Sequence, residues 1–85
     1  MNNQQKYINY VVDNLVKNTE IVYDEERINY PFHRHSSSPF LFSLSYFSFS
    51  SFTEYVKETY GTKDEEVSII WVHYKNRIQT LINNE

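Results

Sequence analysis

Apolar positions recur along this chain with two different periods, and the change from one to the other divides it into elements. Ile8, Val11, Val12 and Leu15 follow i, i+3, i+4, i+7 spacing and predict a helix over Gln4 to Lys17, flanked by Tyr7. Asn2 or Asn3 suits its start, Lys17 its last turn, and Asn18 a left-handed end. From Glu20 to Phe32 the period becomes two: Ile21 and Tyr23 share one face of a first arm, and Ile28, Tyr30 and Phe32 one face of a second. A turn over Asp24-Glu25-Glu26-Arg27 would set Tyr23 opposite Ile28 and Ile21 opposite Tyr30, with every apolar residue on one side. Pro31 cannot donate to a ladder and marks an edge or a strand end.

After the polar loop His33-Arg34-His35-Ser36-Ser37-Ser38 comes Pro39 to Phe52, PFLFSLSYFSFSSF. Phe40, Phe42, Leu44 and Tyr46 alternate with smaller or polar residues and predict a half-buried strand with an aromatic face. The alternation breaks at Tyr46-Phe47, which places Phe47, Phe49 and also Leu41 off the principal face; a bulge or the end of the strand accounts for the break. The rival reading starts a helix at Pro39 with Ser38 as its cap, against the poor helix propensity of Ser and Phe.

Two helices close the chain. Ser51-Phe52-Thr53-Glu54 reads as a capping box ahead of Phe52, Tyr55, Val56 and Tyr60, with Gly61 as the stop. Thr62-Lys63-Asp64-Glu65 reads as a second box, and Asp64, Glu65 and Glu66 oppose the helix dipole. Beyond it Val67, Ile70, Trp71, Tyr74, Ile78, Leu81 and Ile82 form an uninterrupted helical stripe, so Trp71 is expected to be buried on the sheet beside Phe42 and Leu44. The sum is an α+β fold in one small globular domain, residues 1–85. It has an N-terminal helix, a three-stranded antiparallel sheet over about residues 20–48, and two C-terminal helices packed on one sheet face.

Composition narrows the chemistry. At 40% hydrophobic and 18% aromatic the chain has the apolar surface to form a core, and 22% charged residues with net charge −3 do not suit a disordered tail. Cysteine is absent, which removes disulfides and thiolate metal sites and, with no basic-then-apolar leader at the start, favours a cytoplasmic setting. The apolar run Ile69-Ile70-Trp71-Val72 is far shorter than the ~20 residues of a membrane span. Alanine is absent while Asn, Lys, Ile, Tyr and Phe abound, the signature of A+T-rich coding as in many phages and mobile elements.

Candidate sites are few. His33 and His35 project alike from an extended backbone, as paired ligands do, but spacing selects no third ligand, and a surface loop explains them; no metal and no cofactor is expected. Asp24, Glu25 and Glu26 lie in a turn without the burial that would separate their pKa values. Gly61 is the single glycine, so no phosphate loop exists, and the serines fall on strand faces and caps; the chain is expected not to be an enzyme. Its aromatics could stack on bases, yet its cations are scattered and direct nucleic-acid binding is not expected. The acids Glu54, Glu58, Asp64, Glu65 and Glu66, which an acidic mimic of nucleic acid would use, are diluted by Lys57 and Lys63.

Apolar residues beyond what the core faces need are Leu41, Phe47, Phe49, Ile69 and Val72, and these are the expected partner-binding positions, Phe47 and Phe49 foremost. The expectation is a small protein-binding domain, such as a phage or mobile-element inhibitor of a host factor like a defence nuclease. The alternatives are an accessory subunit or homodimer assembling through a sheet edge or the last helix, and a nucleic-acid- or metal-binding module.

Overall fold

The computed structural model describes residues 3–32, 37–40 and 46–83, with side chains described from 39 and from 49 onward in the latter two segments. In chain order the elements are α1 (Asn3–Lys17), β1 (Glu20–Val22), β2 (Arg27–Asn29), β3 (Ser37–Pro39), α2 (Tyr46–Tyr60) and α3 (Asp64–Asn83). The fold is α+β, three helices around a small antiparallel sheet of order β1-β2-β3.

Helix α1 buries the four residues its periodicity singles out, Ile8, Val11, Val12 and Leu15. It ends without a left-handed residue at Asn18: the Asn18 N–H continues to the Asn14 carbonyl, and the Thr19 hydroxyl donates to the Leu15 carbonyl at 2.7 Å. Thr19 therefore does the capping expected of Asn18.

The β1–β2 hairpin forms with its register two positions from the expected one. Glu20 pairs with Asn29, Ile21 with Ile28 and Val22 with Arg27, and Tyr23–Glu25 make a single 3₁₀ turn. A two-residue tip at Glu25-Glu26 in the type I′ geometry that suits strand twist would need left-handed backbone at both glutamates, whereas the longer loop confines it to Glu26, at φ 52°. A slip of two keeps side-chain parity, so Ile28, Tyr30 and Phe32 still face the core. Arg27 Nε donates to Glu25 at 2.6 Å, offsetting the acids of the tip.

The third strand among the described residues lies ahead of the alternating positions Phe40, Phe42, Leu44 and Tyr46. Ser37–Pro39 pairs with β2, Asn29 opposite Ser37 and Arg27 opposite Pro39, with Pro39 in an edge strand where its missing N–H is tolerated. Residues 41–45, with Leu41, Phe42 and Leu44, lie outside the described residues, and by Tyr46 the chain is helical. The parity break at Tyr46-Phe47 is thus a change of period: Phe49, Phe52 and Val56 fall at i, i+3, i+7 and face the core on α2. Packing outweighs the weak helix propensity of Ser and Phe here. Ser51 to Glu54 consequently lie inside α2 and form no capping box.

Gly61 ends α2 as expected, at φ 67°, its N–H bonded to the Lys57 carbonyl at 3.0 Å. The second capping box is shifted by one residue. Glu66 reaches back to the Lys63 N–H at 3.1 Å, while the Thr62 hydroxyl, buried, donates to the Val56 carbonyl at 2.9 Å. Asp64, Glu65 and Glu66 fill the first turn of α3.

One core joins all of this. Ile8, Val11, Val12 and Leu15 of α1 meet Val67, Ile70, Tyr74 and Ile78 of α3, with Ile28, Tyr30 and Phe32 from the hairpin and Phe52 and Val56 from α2. The last helix packs chiefly on α1 and α2 rather than lying flat on the sheet. Its stripe is narrower than expected, since Leu81 is exposed and its carbonyl accepts the Tyr23 hydroxyl at 2.7 Å. Trp71 is half-buried, held between Phe49 at 5.4 Å and Phe52 at 4.7 Å, with the Lys75 ammonium over its ring. Among the described residues Trp71 thus makes a helix-to-helix contact, and its expected neighbours Phe42 and Leu44 lie outside them.

Candidate partner-binding surface

Of the five expected partner positions, Phe49, Ile69 and Val72 have described side chains, and Phe49 does not share a surface with the other two. Leu41 lies outside the described residues, and Phe47 is placed only by its backbone, in the first turn of α2. Phe49 is half-buried and turned onto Trp71, because it shares a helical face with Phe52. Ile69 and Val72 are exposed, at 40% and 50%, on the side of α3 opposite Val67, Ile70, Tyr74 and Ile78. Glu65, His73 and Asn76 surround them, all exposed, so they make a thin stripe on a polar face.

A tyrosine strip where α1 meets the end of α2 was missed in the sequence. Among the described residues Tyr10 is the most exposed of the large hydrophobic side chains, at 59%, and its ring stands edge-on to Tyr60 at 6.4 Å. Tyr60 stands edge-on to Tyr55 at 6.5 Å, and the Tyr7 hydroxyl donates to the Tyr60 carbonyl at 2.9 Å. Burial raises the Tyr60 phenol above its ordinary pKa, and the neighbouring Tyr55, Tyr10 and Tyr7 add to the shift. Nothing in the sequence joins Tyr7 and Tyr10 to Tyr55 and Tyr60, some 50 residues on.

At Tyr55 the strip meets a groove of about 380 Å³ between α2 and the chain leaving β2, lined by Pro31, Phe32, Ser51, Glu54, Tyr55 and Glu58. A more open hollow of about 500 Å³ lies across the same two glutamates, with Phe49, Ser50, Thr53 and Lys57; the buried Thr53 hydroxyl there has no partner among the described residues. The structure separates the acids read as one cluster. Asp64 pairs with Lys57 at 2.6 Å and Glu66 caps α3, whereas Glu54 and Glu58 line the groove without a hydrogen bond or ion pair among the described residues.

His33 and His35 lie outside the described residues, and His73 is exposed on α3. Among the described residues no three metal-ligating side chains converge, and no helix is long and apolar enough to cross a membrane. Comparison with protein-family models, with curated proteins and with solved structures finds no match to this chain.

Proposed function

We propose that this protein acts by binding another protein through the aromatic surface running from the α2 groove across Tyr55 and Tyr60 to Tyr10. The observation that carries this reading is the placement of Tyr10. Its ring is 59% exposed and takes no part in the core, yet it extends a line of aromatic rings that reaches the groove. Tyrosine suits such a place, since it offers a large rigid ring with a polar tip, and binding energy concentrates in a few aromatic anchors. The A+T-rich composition and small size fit an inhibitor encoded by a phage or mobile element, acting on a host factor such as a defence nuclease. A second reading, an accessory subunit or homodimer assembling through α3, draws on the exposed Ile69 and Val72.

Capture from extract by the tagged chain tests the choice, with circular dichroism as the fold control. Tyr10→Asp is expected to abolish capture of a foreign protein and Ile69→Asp to leave it intact. If Ile69→Asp alone removes the captured species, and that species is the chain's own copy, the α3 reading replaces this one. Capture that survives both variants rules out both surfaces.

A further inference from the structure

We infer that the groove between α2 and the end of the hairpin receives an arginine side chain from the partner protein. Three features of the groove combine to this end. It is lined by two exposed glutamates, Glu54 and Glu58, and by two aromatic residues, the half-buried Tyr55 and the buried Phe32, whose ring is already stacked on Tyr30. Among the described residues neither carboxylate has a hydrogen bond or ion pair, and the neighbouring Lys57 ammonium is paired with Asp64 on α3. Glu54 and Glu58 are also i, i+4 neighbours on α2, an arrangement of like charges that weakens a helix unless a cation lies between them.

A guanidinium meets all three conditions. It forks to carboxylate oxygens, its flat face stacks on aromatic rings, and it sheds water more readily than an ammonium does. A volume of about 380 Å³ leaves room for the alkyl stem as well as the head group. The chain's net charge of −3 favours approach of a basic partner surface. The inference rests on the protein-binding reading and assigns chemistry to one end of that surface.

The test is titration of the isotopically labelled protein with N-acetyl-arginine-amide, and in parallel with the uncharged citrulline analogue, followed by amide chemical shifts. Arginine is expected to move the signals of Phe32 and of residues 51–58, and citrulline to leave them in place. Glu54→Gln with Glu58→Gln weakens the response roughly tenfold, since each part-exposed ion pair supplies about a factor of three to five. Glu65→Gln, at an exposed acid outside the groove, leaves it unchanged. Equal shifts with citrulline, shifts spread over every acidic residue, or an unaltered response in the double variant would overturn the inference. So would a change of sedimentation in the double variant, which would assign the groove to a second copy of this chain. Tyr10→Asp, which lies outside the groove, keeps the arginine response. Loss of the arginine response with capture intact therefore refutes the groove assignment alone, and failed capture with the response intact refutes the binding reading alone.

Discussion

Replacing Phe52 with alanine is expected to remove about 3–5 kcal/mol of stability, a large share of the ~5–15 kcal/mol that holds a small domain together. Phe52 has no exposed surface, and its ring packs on three others: Trp71 at 4.7 Å, Phe32 at 5.3 Å and Tyr74 at 5.7 Å. Removing its ring opens a cavity bounded by Phe32 on the chain leaving β2 and by one turn of α3, and these elements cannot both close on it. Trp71 is the less costly position despite its size, because it is half-buried and Lys75 covers its outer face. Urea unfolding followed by far-ultraviolet circular dichroism measures the effect. A loss below about 1.5 kcal/mol would mean that the aromatic cluster repacks and that Phe52 is not its centre.

Alkaline pH is expected to weaken the fold through Tyr74, and Tyr74→Phe to remove that part of the loss. Tyr74 is fully buried, and burial raises its phenol well above the ordinary tyrosine range; its hydroxyl lies 2.7 Å from that of Thr19. The unfolded chain releases this proton near pH 10, whereas the folded chain retains it to higher pH. The unfolded state then binds fewer protons, so stability is complete below about pH 10 and falls as pH rises from there towards the folded value. The slope for one such group is about 1.4 kcal/mol per pH unit. Near neutral pH the phenylalanine variant loses only about 1 kcal/mol for the missing hydrogen bond, and Thr19 keeps its bond to the Leu15 carbonyl. Unfolding free energies of both proteins between pH 8 and 11.5 decide the matter. Curves that stay parallel above pH 10 would show that Tyr74 does not titrate differently in the two states.

The helices at the two ends of the chain were legible because their signals are local and repeated. Four buried positions in α1 and four in α3 recur over several turns, and Gly61 stands where a left-handed stop is needed. The hairpin's faces were legible for a related reason, since a slip of two residues leaves parity unchanged. Its register was not, because the cost of left-handed backbone at two glutamates decides the tip, and apolar alternation does not record that cost.

The segment from Phe40 to Phe52 was the hardest to read, because two periods overlap in it. Alternation governs its first half, but Phe49, Phe52 and Val56 belong to a helical face whose value depends on Trp71 and Tyr74 from α3. The candidate surface was equally hidden. Tyr10 and Tyr60 are fifty residues apart, and the sequence does not indicate that Lys57 turns to Asp64 rather than to Glu54 or Glu58.

By itself, then, the sequence determined the α+β class, the two end helices, the hairpin's inward face and an aromatic core, all properties of short-range periodicity and of backbone preference. Only the tertiary structure decided where α2 begins, which aromatic residue lies at the centre of the core, and which tyrosines and glutamates share a surface. Those outcomes depend on contacts between distant segments, and such contacts bury apolar area without leaving a period in the chain.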